Sequence, residues 1–126
     1  MAEDYGFADV FIPEDFYAAD PAISPFSTSP PPRHAKEIPK GTKIDAIFVF
    51  SDPCDWPLSI QVITDVLLSD NGGVGTRRDP EDVGPHVPLY FSNPDHPRVS
   101  TYPYSRLGQG AFHRAVCGTY NRYIKE

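Results

Sequence analysis

Cysteine is scarce in this chain of 126 residues: only Cys54 and Cys117 occur, far apart and without a Cys-x-x-Cys spacing. That excludes a disulfide scaffold or a thiolate zinc centre and predicts a reduced intracellular protein. Long apolar runs are also lacking, so no membrane span is expected. Clustered positive charge is missing as well. The net charge is -6, and the eleven Lys and Arg residues are dispersed, whereas a nucleic-acid backbone needs them grouped. Nucleic acid is therefore excluded as a partner. The longest basic cluster, Arg77-Arg78, runs straight into Asp79 and reads as a solvated loop. Met1 to Phe7 is acidic where secretory and mitochondrial presequences are basic, so no targeting segment is expected there. No internal repeat is visible. The histidines, His34, His86, His96 and His113, are scattered, and no two share a ligand spacing, so no metal site is expected.

Proline, by contrast, is abundant. Fifteen residues is about twice the usual share of roughly 5%. Six of them, Pro21, Pro25, Pro30, Pro31, Pro32 and Pro39, fall between residues 21 and 43. Each removes a backbone donor and fixes φ, so neither a helix interior nor a central strand is expected there. The segment reads as a mobile or wrapped loop, with Phe26 as its anchor to the core. The length fits one small domain, and 40% hydrophobic residues permit a modest core.

Around that loop the pattern alternates. Asp9 to Pro13 is a short apolar run that reads as a strand, and Glu14 to Ala19 as one or two helical turns. Ile44 to Phe50 is almost continuously apolar, as in a strand covered on both faces. Asp55 then offers an N-cap and Pro57 suits a first helical turn. The predicted helix runs from Pro57 to about Asp70, with Ile60, Ile63, Val66 and Leu67 on one face and Asn71-Gly72-Gly73 as its stop. Val87 to Phe91 is a second strand, with Pro88 at its start. Residues 93 to 108 read as an irregular loop, and a last helix as running from about Gly110 to Tyr123. Its buried face is marked by Phe112, Val116, Thr119 and Tyr123. Strand, helix, strand, helix makes a right-handed crossover with a parallel pair. The fold class expected is thus α/β: a small, mostly parallel sheet with flanking helices and a long Pro-rich loop. Residues 1–20 form an N-terminal piece, 21–43 the loop and 44–126 the βαβα unit.

Sites in such folds lie at the carboxyl ends of parallel strands. Two loops leave those ends, Ser51-Asp52-Pro53-Cys54-Asp55-Trp56 and Ser92-Asn93-Pro94-Asp95. An aspartyl nucleophile with an acid two positions on would need Asp-x-Asp. Asp52 and Asp55 stand three apart, and Asp55 reads as a helix cap. Cys54 near a helix N-terminus would have an activated thiol, but no histidine is placed beside it, so it reads as structural. Gly108-Gln109-Gly110 before a helix can present N–H groups to an anion or allow close packing. Asn93 and Asp95 are ordinary turn residues by themselves. Arg98 and Arg106 read as solvated, with a substrate anion as the alternative.

Three stretches together carry a family resemblance: Ile44-Asp-Ala-Ile-Phe-Val-Phe-Ser-Asp-Pro-Cys-Asp-Trp56, Pro88-Leu-Tyr-Phe-Ser-Asn-Pro-Asp95 and Arg106-Leu-Gly-Gln-Gly-Ala-Phe112. In that order and spacing they resemble class IIA haloacid-dehalogenase-like hydrolases of the cat-eye-syndrome critical-region type. Tyr5-Gly-Phe7, Pro13-Glu-Asp15 and Pro25-Phe26 fit its fungal members. The resemblance implies a Rossmann-like core bearing an inserted α/β cap, with this chain as a partial cap domain and the catalytic core of the same family as its partner. It implies Mg2+-dependent phosphate-ester hydrolysis on a small phosphorylated substrate, a mitochondrial setting and links to glycerophospholipid metabolism. The family's nucleophile, phosphate-binding lysine and metal ligands have no matching positions here, so no catalytic or metal residue is expected in the chain. The implied substrate-binding residues are Asn93, Asp95, Gly108 and Gly110 of the cap. The reading is a phosphohydrolase fragment, inactive alone; the alternative is a non-enzymatic interaction module derived from such a cap.

Overall fold

The computed structural model describes residues 9–25, 27, 30–50, 55–79, 81, 87–92, 97–98, 103–104, 106–107 and 109–125. It is a small α/β fold. In chain order the elements are α1 (Pro13–Ala19), a 3-10 turn (Pro21–Ile23), β1 (Ile47–Val49), α2 (Trp56–Leu67), β2 (Leu89–Phe91), β3 (Pro97–Arg98), β4 (Arg106–Leu107) and α3 (Gln109–Lys125). β1 and β2 pair in parallel, with Ile47, Phe48 and Val49 opposite Leu89, Tyr90 and Phe91. β3 and β4 form a separate antiparallel ribbon.

α2 is the centre of the fold, and its two ends follow from local chemistry. The Asp55 carboxylate accepts the Leu58 N–H at 3.1 Å and caps the N-terminus, while Pro57 occupies a first-turn position where no donor is needed. At the other end Asn71 (φ 51°) and Gly72 (φ 86°) take left-handed backbone and turn the chain back. The returning segment is fixed by Ile44 N–H on the Gly72 carbonyl (2.8 Å) and Val74 N–H on the Thr42 carbonyl (3.0 Å).

That return shortens the first strand. Ile44 spends its donor on the turn after α2, so the ladder begins only at Ile47, whose N–H reaches the Pro88 carbonyl at 2.9 Å. The expected strand over 44–50 is therefore three residues long. Two other expectations are corrected. Residues 9–13 form no strand, because Pro13 opens α1 and the Asp15 carboxylate draws the Ile12 N–H into the helix entrance at 2.8 Å. Within the loop expected over 93–108, Pro97–Arg98 and Arg106–Leu107 pair as a ribbon, Pro97 opening its strand.

α2 is buried on two sides, as a helix with apolar residues around most of its circumference must be. Leu58, Val62 and Val66 pack with Tyr17 of α1 and Val87. Ile63 and Leu67 pack with Val49, Phe112 and Val116. Burying each such side chain contributes roughly 1.5–3 kcal/mol, so α2 joins α1 on one side to α3 on the other. Phe112 and Val116 form the buried face of α3 as expected. Thr119 is half-buried, and the side chain of Tyr123 lies outside the described residues. Phe26 lies outside them too. The Pro-rich segment is pinned elsewhere, by Lys36 N–H on the Asp15 carboxylate at 2.8 Å.

Candidate functional site

The carboxyl ends of β1 and β2 are tied together before their loops depart. Ser92 N–H donates to the Val49 carbonyl at 3.0 Å, and Ser92 Oγ donates to the Phe50 carbonyl at 3.1 Å. Behind this edge stand the first turns of both long helices. The Trp56 ring of α2 meets Phe112 of α3 edge-on, with centroids 5.3 Å apart. Phe91, the last residue of β2, lies 6.4 Å from Phe112. Its other neighbour is His113, stacked at 4.1 Å and 17°. The edge thus has a rigid aromatic wall with one exposed imidazole laid against it.

Of the residues assigned from sequence, Gly110 is described. It is buried in the first turn of α3. Asn93, Asp95 and Gly108 lie outside the described residues, as do Asp52 and Cys54. Asp55 is the α2 cap, as its position implied. Cys117 is a free, exposed thiol on α3. His34 is exposed in the Pro-rich segment, remote in sequence from His113.

Two positions escape a reading of the sequence. His113 does so because the scatter of histidines hides a ring stacked on a residue twenty-two positions earlier. Arg78 reads as solvated, yet it is 7% exposed. Its Nη2 donates to Tyr120 Oη at 2.9 Å, and its N–H donates to the Leu68 carbonyl at 3.0 Å. Those contacts tie the loop after α2 to the end of α2 at Leu68 and to Tyr120 of α3. An apolar cleft beside them is lined by Leu67, Val87, Leu89, Val116 and Tyr120 and has a volume of about 230 Å3. That is below the usual range of ligand pockets, about 300–1,000 Å3, and its walls offer a polar substrate almost nothing to bond.

The chain is similar to a segment of two fungal hydrolases. One, from Saccharomyces cerevisiae, is named a mitochondrial hydrolase; identity is 40% over 121 residues, covering 92% of this chain and 34% of the relative. The other, from Schizosaccharomyces pombe, is named a fusion of cardiolipin synthase (CMP-forming) with a mitochondrial hydrolase; identity is 35% over 119 residues, covering 92% of this chain and 19% of the relative. The chain therefore spans about a third of the first relative's length and a fifth of the second's. No protein-family model matches it. Among the described residues no group of three His, Cys, Asp or Glu side chains could hold a metal ion, and no helix is long and apolar enough to cross a membrane.

Proposed function

We propose that the chain is the substrate-covering cap segment of a class IIA haloacid-dehalogenase-like phosphohydrolase. The observation that carries this reading is the lopsided similarity to the budding-yeast mitochondrial hydrolase: nearly all of this chain matches about a third of that protein. In the proposal the nucleophile, the phosphate-binding lysine and the Mg2+ ligands belong to a core of the same family, which is the segment's partner. The described residues do not fit Mg2+, having no donor set for it, and no step is assigned to that ion. Asn93, Asp95, Gly108 and Gly110 line the cap side of the active site. The location is mitochondrial, and the substrate a phosphate ester of glycerophospholipid metabolism; the relative fused to a cardiolipin synthase supports both.

A second reading, an interaction module, is favoured by one feature. The outer face of the parallel pair shows a stacked aromatic row, Phe48 on Tyr90 at 5.2 Å, with Phe48 37% and Tyr90 52% exposed. Parallel sheets are ordinarily covered on both faces.

A chimera separates the readings. The matched segment of the Saccharomyces relative is replaced by this chain, and phosphate-ester hydrolysis is measured with Mg2+. Restored hydrolysis, reduced for the preferred substrate by Asn93→Ala or Asp95→Ala, is the expected result. A folded but inactive chimera beside an active parent would defeat the cap reading in favour of the interaction module.

A further inference from the structure

One side of β2 is an open edge. Ile47 N–H donates to the Pro88 carbonyl and Ser92 N–H to the Val49 carbonyl. Alternate residues of a parallel strand turn their backbone groups to its partner, so Pro88, Tyr90 and Ser92 face β1. The N–H and C=O groups of Leu89 and Phe91 face the other way, and among the described residues no strand pairs with them. The donor that Pro88 lacks belongs to the β1 side, so the outer edge keeps all of its donors. Such an edge is a template for one more strand.

The apolar cleft adjoins that edge, since Pro88 and Leu89 line it together with Leu67 of α2 and Val116 and Cys117 of α3. Its volume of about 230 Å3 accommodates one large apolar side chain, given that a cavity of about 150 Å3 admits benzene. The helix that walls it is the basic element of an acidic chain. Gln109–Lys125 holds Arg114, Arg122 and Lys125 and no Asp or Glu, whereas the whole chain has a net charge of -6. Arg114 and Arg122 are exposed, and the Arg78 guanidinium lies 5.9 Å from the ring of Tyr120, another lining residue. A second copy of the chain does not suit this place. Its own Leu89 and Phe91 are packed in its core, so its β2 brings no side chain to the cleft, and its α3 repeats the positive charge.

We infer that the outer edge of β2 and the cleft beside it dock an extended segment of a partner protein, one with a large apolar residue flanked by acidic ones. The segment adds a third strand to the sheet. Its backbone pairs with Leu89 and Phe91, its apolar residue enters the cleft, and its acidic residues meet the charge of α3. Main-chain hydrogen bonds give complexes of this kind their affinity, and a pocket for one side chain gives specificity. On the other face of the added strand a side chain lands beside Tyr90, which is 52% exposed, and gains a cross-strand contact. The inference stands apart from the cap reading, because it concerns an edge of the sheet and not the loops that leave its carboxyl end.

The experiment uses the full chain and a synthetic nonapeptide, acetylated and amidated, with leucine at its centre, valine and threonine on either side and two glutamates at each end. Amide hydrogen exchange at Leu89 and Phe91 is expected to slow at least about 10-fold at saturation, as pairing with a strand requires. Alkylation of Cys117 should slow with it, while exchange at Tyr90, whose groups face β1, stays the same. A strand turns only every second amide to its partner. Of two peptides N-methylated at alternate residues, one should therefore lose binding and the other keep it. Serine for the central leucine, and Cys117→Trp, which fills the cleft from an exposed position, should each weaken binding at least about 10-fold, the loss expected when a leucine side chain goes unburied. The serine peptide leaves the protein untouched, so it separates lost docking from misfolding. Lysine in place of the glutamates should weaken binding as well. No slowing at Leu89 and Phe91, equal binding of the two methylated peptides, or equal binding of the glutamate and lysine peptides overturns the inference. Protection of those two amides in the chain alone, growing with its concentration, assigns the edge to a second copy and overturns it too. Because docking is read on the chain itself, an inactive chimera leaves this result untouched, and a failed peptide titration leaves the cap reading standing.

Discussion

Asp15 and Lys36 lie twenty-one positions apart, and the carboxylate of the first accepts the backbone N–H of the second at 2.8 Å. Its other oxygen accepts the Ile12 N–H, also at 2.8 Å. Asp15 is 5% exposed, so one buried carboxylate both opens α1 and fastens the Pro-rich segment to it. A donor left without its acceptor in such a place costs about 1–3 kcal/mol. Asp15→Ala is therefore expected to lower stability by at least that much in urea denaturation and to raise hydrogen exchange at Lys36. Asp15→Asn keeps one acceptor oxygen and should fall between. Unchanged exchange at Lys36 in the alanine variant would show that the segment is held by something else.

Gly72 and Gly75 allow backbone strain to be separated from crowding. Both have positive φ, 86° and 79°. A Cβ at Gly75 would meet nothing within 4 Å, whereas one at Gly72 would stand 2.0 Å from the Ile44 carbonyl oxygen. Gly75→Ala should cost about 1–2 kcal/mol, the penalty of left-handed backbone alone. Gly72→Ala should cost clearly more, because the Ile44–Gly72 hydrogen bond cannot survive the displacement. Equal losses in chemical denaturation would refute the close approach.

Burial pushes the Asp65 carboxyl above its ordinary value of 3.8, against the opposing hydrogen bond from Gln61 and the charge of Arg77. The folded state thus holds this proton more tightly than the unfolded chain. Asp65 therefore subtracts stability at neutral pH, and the penalty fades as pH falls toward 3.8. Asp65→Asn should melt higher than the parent at pH 7, with the gap closing in acid. A gap independent of pH would mean that the charge is not its source.

Thr64 presents the opposite case, a 1% exposed residue whose hydroxyl finds no partner among the described residues. Replacing an unsatisfied buried hydroxyl by a methyl group removes a desolvation penalty of roughly 1–3 kcal/mol. Thr64→Val should raise Tm. A fall in Tm would reveal a hydrogen bond to a bound molecule or water at that site.

These cases also mark how far the sequence can be read. Asp55 and Pro57 are legible because capping is decided within four residues. The parallel pair is legible because Ile47, Val49, Leu89 and Phe91 carry their own apolar signal. Ile44 is misplaced by its apolar run because its donor goes to Gly72, across the whole length of α2. Arg78 reads as solvated because what buries it is Tyr120, forty-two positions on. The ribbon of Arg98 and Arg106 is hidden by its prolines and by strands only two residues long. Of the candidate site, Asn93 and Asp95 come from family resemblance alone. His113 emerges only once helix packing lays its ring on Phe91.

The pairing of β1 with β2 has a kinetic side. Ile47 meets Leu89 and Val49 meets Phe91, so no local hairpin can seed the sheet. During synthesis the first strand must wait, unpaired, until α2, the turn at Gly72 and the residues after it have been made. Contacts of such separation close late and against loop entropy, which slows folding and lengthens exposure of apolar segments. Ile44 to Phe50 is thus the stretch most open to wrong partners in the nascent chain, and the speed at which α2 forms and folds back sets how long that exposure lasts.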